Sequence, residues 1–563
     1  MEYLIHILVM MCLYVILSTS FNLVVGSAGL FALSHAAFYA IGAYASAILI
    51  IDVGLPFPLP LLIGALFTAA IGAVAALPAL RIGGHYLVIV TLALQVIVLA
   101  FLINAQAITR GPAGISGIPR VELFGLALDS PQRFLPLAAF FAAFCFWIAW
   151  RLTESPFGRA LRAMREDEEA TKAIGKNVVY MKLSAFALSA GLASVAGALL
   201  GRYVSFISVE SFTIEETIYV LAMVILGGTG NLWGSALGAV ILVSLPELLK
   251  FVEMPAEIAD KVRQILYGIL LIVMLRLRPE GLIAEVSRAA RRLAPVPAGE
   301  VPVPAIAAAT PAGEITVSGR GLSKHFGGIR AVEDFDIDLT AGTITGLIGP
   351  NGAGKTTAFN LITGFLPPTA GAISFRGRPV AGRKPHEIVR AGVARSFQDL
   401  KLFTKMTVLD NVLVALPRQS GDGVLSVFFR PFRVRAEETA NIARAVEVLR
   451  FVGLEDKAGE TADNLSYAEE KLLVIARLLA TEAEVLLFDE PLSGLAPTTL
   501  EEIFPVFRRL AAAGKTICII EHNLDVIKRL CDTAIYLDEG RALRKGTPEE
   551  LMNDPELAGR YFS

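Results

Sequence analysis

Paired cysteines are the first thing this sequence lacks. Cys12, Cys145, Cys518 and Cys531 are scattered along 563 residues, with no CxxC among them. That spacing excludes a disulfide scaffold and a zinc site, and leaves four small buried hydrophobes. A charge excess is missing too: 50 Lys and Arg face 52 Asp and Glu, a formal net charge of -2. Bulk charge therefore gives no sign of a nucleic-acid partner. The start, Met1-Glu2-Tyr3, lacks the positive leader of a cleaved signal peptide, so the first apolar run is expected to be a retained membrane span.

Ionisable residues are scarce over long stretches of the first half. The chain is 54% hydrophobic and, at 563 residues, too long for one compact core. Residues 3–24, LIHILVMMCLYVILSTSFNLVV, suffice to cross a bilayer at about 1.5 Å per residue. Further apolar runs lie near 28–51, 58–79, 85–103, 133–150, 181–203, 217–247 and 263–276. GGTGN at 227–231 is expected to divide the longest of these by a tight turn, giving eight or nine spans. Basic residues set the orientation. Arg151, Arg159, Arg162, Arg165, Lys172 and Lys176 in the loop 151–180, and the arginines after 276, put those segments in the cytoplasm. The acidic segments 204–216 and 248–260 then lie outside, as does the N-terminus. Residues 1–286 thus read as an all-α polytopic membrane domain in a lipid bilayer. His35 is the one ionisable side chain well inside a span: either a functional group or a neutral ring packed among small neighbours. The Gly- and Pro-rich stretch 105–120 reads as an irregular outer loop, a docking surface or a connection.

From 287 to 314 the text turns rich in Pro, Ala and Val, a semi-extended linker. Residues 315–563 then alternate apolar strands with helical stretches, as in an α/β domain. Within it, TITGLIGPNGAGKTT reads strand, loop, helix and matches GxxxxGK[ST] from Gly349 to Thr356. Backbone N–H groups of Gly349, Asn351, Gly352, Ala353 and Gly354, with Thr357 in the following helix, would curl around the phosphates of ATP. Lys355 would reach the β- and γ-phosphates, and Thr356 would ligate Mg2+. VLLFDE ends a buried strand on two acids: Asp489 to hold Mg2+ through water, Glu490 to orient and polarise the attacking water. Gln398 would touch Mg2+ and that water, and His522, after another apolar strand, would contact the γ-phosphate. Phe326 would either stack on adenine or pack in the core.

These residues in this order resemble the ABC ATPase, the motor of ATP-binding-cassette transporters. GPNGAGKT matches Walker A, Gln398 the Q-loop, LSYAE the signature, LLFDE Walker B and His522 the switch histidine. SFQDLKLFTKMTVLDNVLVAL and GTPEELMNDPEL are similar to the ATPase subunit of branched-chain amino-acid importers. FNLVVGSAGLFALSHAAFYAIGAYASA and ESPFGRALRAMREDEEATKAIG resemble the permease subunit of the same systems. The resemblance covers nearly the whole chain and implies a permease fused to its ATPase in the cytoplasmic (inner) membrane, the ATPase and its helical subdomain in the cytoplasm. It implies ATP-driven import, with branched-chain amino acids first and other amino acids, amides or urea behind. It also implies partners: a second permease, a second ATPase and an extracytoplasmic binding protein. An exporter half-transporter, or a membrane-anchored ATPase that does not transport, are the rival readings.

The signature departs from the branch pattern Leu-Ser-Tyr-Gly-Gln at Ala468 and Glu469, while Ser466 and Tyr467 match. In the family this element faces the ATP of a partner domain. There the Ala468 methyl would crowd the phosphate or exclude a positive φ. A Glu469 carboxylate about 5 Å from phosphate would cost roughly 1–3 kcal/mol at an effective dielectric of 20–80. Alternatively, the glutamates simply suit a helix N-terminus. Because the chain's own Walker elements are intact, a heteromeric assembly is expected. The charged segment REDEEATKAIG, with Glu168, Ala173 and Gly175, is expected to be the coupling helix that docks in an ATPase groove near Gln398.

Overall fold

A computed structural model of the chain describes residues 2–78, 85–123, 125–249, scattered positions from 262 to 274, 276–285 and 310–554. The expected outer segment 248–260 and most of the linker 287–314 lie outside the described residues. The chain divides into two compact units. The first holds Met1–Arg165, Val179–Val286 and Gly421–Phe428; the second holds Glu166–Val178, Ser287–Ser420 and Phe429–Ser563.

The first unit is a set of apolar helices. Among the described residues, Glu2–Ser27, Tyr86–Asn104, Pro131–Thr153 and Val178–Val204 are long and apolar enough to cross a membrane. His35–Ile51, Leu59–Ala75 and Leu232–Pro246 are shorter apolar helices. The run 217–247 does divide, into Ile214–Gly227 and Leu232–Leu249, at the GGTGN turn. The run 28–51 does not hold as one helix. Glu2–Asn22 continues into one π-helical stretch, Leu23–Ser27, and regular helix resumes only at His35.

That break leaves backbone donors which no lipid would satisfy. The protein supplies the partners: Thr91 Oγ1 accepts from Leu33 N at 2.9 Å, Thr217 Oγ1 from Ala36 N at 3.0 Å, and Gln95 Oε1 from Ala37 N at 2.7 Å. His35 therefore begins a helix instead of lying within one. Its ring stacks on Phe21 at 4.4 Å, with Nε2 3.1 Å from both the Leu17 carbonyl and the Ser20 hydroxyl. Small residues bring helices close: a Cβ on Gly42 would fall 2.3 Å from Ser194 Cα. The loop 105–120 forms a short strand, Ile115–Ser116, paired antiparallel with Phe206–Ile207.

The second unit is built on a six-stranded sheet in the order Val393–Arg395, Val485–Asp489, Thr516–Ile520, Ile344–Ile348, Thr533–Asp538, Arg541–Gly546. All neighbours are parallel except the last pair. Ile344–Ile348, Val485–Asp489 and Thr516–Ile520 are buried at every position, as strands covered on both faces must be. Asp489 pairs with Ile520, and Ile520 with Leu347, so three carboxyl ends stop level with one another. A four-stranded antiparallel sheet is built around Ile315–Phe326 and Ile329–Thr340. The helices Val408–Ala415, Pro431–Phe451 and Tyr467–Ala480 form a helical part.

Candidate functional site

The level strand ends create the site, because ligands of parallel sheets bind beyond their carboxyl ends. After Ile348 the loop carrying Gly349, Asn351, Gly352, Ala353 and Gly354 runs into the helix Lys355–Ile362, which holds Thr356 and Thr357. Lys355 is buried and donates 2.8 Å hydrogen bonds to the carbonyls of Gly349 and Pro350. Burial pulls its ammonium below the usual lysine range, against the attraction of Glu490 and Asp489. The Thr356 hydroxyl bonds the Asp489 carboxylate. That pair, with Gln398 at hand, is a hard-oxygen donor set of the kind Mg2+ takes.

Sequence reasoning missed a residue here. Arg395 lies 3.4 Å from Asp489, both nearly fully buried, with its guanidinium 4.7 Å over the Phe397 ring. Burial brings it down to about 10 and also raises Asp489, whose charge Arg395 opposes. Its one signal was a cation in the short apolar strand just ahead of Gln398.

Glu490 has φ of +49°, a conformation most side chains avoid. The turn aims its carboxylate at both other predicted residues. Glu490 Oε1 accepts from Gln398 Nε2 at 3.2 Å and lies 2.9 Å from His522 Nε2. Lys471 Nζ donates to the Glu490 carbonyl at 2.9 Å, holding the turn from the signature helix. Next to His522, Glu521 accepts from Leu492 N at 2.8 Å, and burial pushes its carboxyl up to about 7. Phe326 ends its strand with 46% of its surface exposed, so it is not a core residue; Lys324 Nζ sits 5.3 Å from its ring centroid.

The signature begins the helix Tyr467–Ala480, capped by Ser466. Glu469 is the third residue of that helix and reaches back: its Oε2 accepts from Ser466 N at 2.9 Å and from Ser466 Oγ at 2.8 Å. Lys457 pairs with its other oxygen at 2.6 Å. Lys457 first, then the Ser466 bonds, hold the carboxyl down at about 2. Ala468 lies inside the helix and is not among the residues of positive φ, so the methyl meets no backbone penalty. Glu469 thus engages the cap, and in doing so occupies the Ser466 hydroxyl. Tyr467 donates from its hydroxyl to Ser493 O at 3.2 Å.

The segment Glu166–Val178 sits in the second unit, on residues following Gln398. Asp167 caps the helix Glu168–Ala173 by accepting from Ala170 N at 2.7 Å. Lys401 pairs with Glu169 and lies 3.6 Å from Asp167, while Glu166 accepts from Lys405 N at 3.0 Å. Ala173 is buried, and Glu168 pairs with Lys172 at 2.7 Å. Gly175 has φ of +85°, and a Cβ there would fall 3.1 Å from Val389 Cγ1. From the signature helix, Arg477 donates to the carbonyls of Lys401 at 2.7 Å and Leu400 at 3.2 Å.

Within the first unit, Asn22 binds the GGTGN turn, donating to Asn231 O at 2.9 Å and accepting from Gly230 N at 2.9 Å. Arg165 donates to Gly26 O at 2.6 Å and pairs with Glu285 at 2.7 Å. Arg165 precedes the docked segment by one residue. Arg165→Ala is expected to remove roughly 1.5–3 kcal/mol from this clasp, the range for hydrogen bonds to charged groups. Uptake should fall more than ATP hydrolysis, and a double-mutant cycle with Glu285→Ala should show coupling; additive effects would leave the clasp without a role.

A family model described as the permease component of branched-chain amino acid transport systems matches residues 3–275, and one described as ABC transporter matches 332–493. The high-affinity branched-chain amino acid transport ATP-binding protein LivG of Salmonella typhimurium is 38% identical over 243 residues, 43% of this chain and 95% of LivG. The LivM permease protein of the same organism is 37% identical over 302 residues, 50% of this chain and 69% of LivM. A solved nucleotide-free ATP-binding cassette from an ABC transporter is 30% identical and covers 44% of this chain and 100% of its own, with a TM-score of 0.40. Apolar helices joined in one chain to an ATP-hydrolysing cassette define a membrane transporter subunit driven by ATP. The chain belongs to the branched-chain amino acid transport family of ABC transporters and combines in one polypeptide the permease and the ATP-binding components.

Proposed function

We propose that the chain imports amino acids, branched-chain ones first, across the cytoplasmic membrane, using ATP hydrolysed at the ends of its parallel strands. What carries this reading is that its two halves are related to two components named for one transport activity, LivM and LivG. Glu490 polarises the attacking water, Gln398 and His522 hold that carboxylate, and Lys355 with the loop from Gly349 to Gly354 binds phosphate. Thr356, Asp489 and Gln398 would hold Mg2+, which would neutralise charge on the phosphates. Phe326 carries the adenine. The permease takes residues 1–286 with eight or nine spans, the linker 287–314 and the ATPase 315–563.

One permease does not enclose a pathway, so a second permease and a second ATPase, of a different chain, complete the importer with an extracytoplasmic binding protein. The engaged Ser466 supports the heteromer: a partner with a standard signature supplies one fully equipped composite site. Converting Ala468→Gly together with Glu469→Gln should raise the ATPase rate of the assembled complex about fivefold or more, since 1 kcal/mol is about fivefold. An unchanged rate would mean the altered signature is no handicap.

The deciding experiment is reconstitution of the complex in vesicles with its binding protein and labelled leucine, isoleucine, valine or urea. ATP-dependent accumulation of the branched-chain amino acids is expected. Accumulation of urea alone would reassign the substrate, and extrusion without a binding protein would favour the exporter.

A further inference from the structure

Residues 421–435 read GDGVLSVFFRPFRVR. They lie in the ATPase part of the sequence, yet Gly421–Phe428 belongs to the unit of membrane helices. The helix Val424–Phe429 is anchored on one side. Val424 N donates to the Tyr180 hydroxyl at 3.0 Å, Val427 is buried, and the Phe428 ring lies 6.0 Å from the ring of Trp147. Trp147 is itself exposed, near the C-terminal end of the apolar helix Pro131–Thr153, where tryptophans meet the membrane interface.

The other side is bare. Leu425 is 70% exposed, Phe429 80% and Phe432 89%. The two phenylalanines are the most exposed large apolar residues among those described, more so than Leu66 on an apolar helix. Clustered exposure of this kind marks an interaction surface. Its charge is one-sided: Arg430, Arg433 and Arg435 fall among these aromatics, with no acid from 424 to 435. Arg433 does pair with Glu437 at 2.7 Å. The helix Pro431–Phe451 opens with no acid in its first turn. Cations there oppose the helix dipole, so the dipole does not account for them, and the intrahelical pair with Glu437 accounts for Arg433. Aromatic residues interleaved with arginines are the composition of segments that seat in the headgroup and acyl boundary of anionic membranes.

We propose that residues 424–435 form a lipid-seated foot, with Leu425, Phe429 and Phe432 inserted at the bilayer surface and Arg430, Arg433 and Arg435 on anionic headgroups. The inference rests on the membrane reading of the apolar helices and adds a direct lipid contact made by the ATPase part of the sequence. Continuity with Trp147 and the basic charge favour lipid over a protein occupant.

The test places nitroxide labels at Phe429→Cys and Phe432→Cys in the full chain, held in nanodiscs of phosphatidylcholine with or without phosphatidylglycerol. Collision with oxygen and with an aqueous nickel chelate is then measured. Both sites are expected to favour oxygen several-fold over nickel, more strongly with phosphatidylglycerol, and Arg430→Gln/Arg433→Gln/Arg435→Gln should erase the increment. Nickel access equal to that at an exposed control, Glu549→Cys, would overturn the proposal. Shielding from both reagents would overturn it too, and point to a protein partner. Leu66→Cys on the apolar helix separates the two readings: nickel access there would fault the membrane reading itself.

Discussion

Replacing Glu490 by glutamine is expected to lower ATP turnover at the composite site this chain supplies by roughly 10²–10⁴-fold, the usual contribution of a positioned general base. Nucleotide binding should survive. The substitution keeps the length of the side chain and an oxygen that still accepts from Gln398, now 3.2 Å away. It removes only the charge proposed to polarise water. Backbone strain is also unchanged, since Glu and Gln meet φ of +49° with similar cost. The phosphate contacts assigned to Lys355 and the Thr356–Asp489 pair are not altered. Single-turnover phosphate release measures the chemistry, and a fluorescent ATP analogue measures occupancy. Wild-type turnover in Glu490→Gln would remove this carboxylate from the reaction. Loss of binding together with turnover would make its role structural.

Gly175→Val is expected to abolish most uptake while the complex still binds ATP. Two costs coincide at this position. A φ of +85° is strained for any L side chain, roughly 1–2 kcal/mol and more for a β-branched one. The new Cβ would also stand 3.1 Å from Val389 Cγ1, a contact that one side must yield. Together they would shift docking of Glu166–Val178 by about tenfold or more. Labelled uptake and phosphate release, assayed on the same vesicles, give the ratio of solute moved to ATP consumed. A collapsed ratio supports the coupling role; an unchanged ratio would place coupling elsewhere. Ala173→Trp, at a buried position two residues earlier, should act in the same direction.

What was legible in the sequence was whatever is local. Strand, glycine loop and lysine adjoin one another at 344–355, so Walker A could be read directly, and Asp489-Glu490 closes an uninterrupted apolar strand. Residues joined by the fold were not legible. Arg395 meets Asp489 across 94 positions, and Arg477 meets Lys401 across 76. The unwinding of 28–34 escaped notice because its composition matches the helices around it; only acceptors on distant helices, Thr91, Gln95 and Thr217, make the break tenable. Ser466 and Glu469 were visible as an S-x-x-E pattern, but a capping box and a phosphate contact call on the same four residues, and only coordinates separate them. That Gly421–Phe428 belongs to the first unit and Glu166–Val178 to the second is announced by no local pattern either.

One guanidinium carries a mechanical implication. Arg477 grips two consecutive carbonyls, at Leu400 and Lys401, from the same helix that begins at the signature. The ammonium of Lys401 in turn holds the acidic end of the docked segment. Signature helix and docked segment are therefore moored to the same residue, Lys401, so neither can leave its place without loading the anchor of the other.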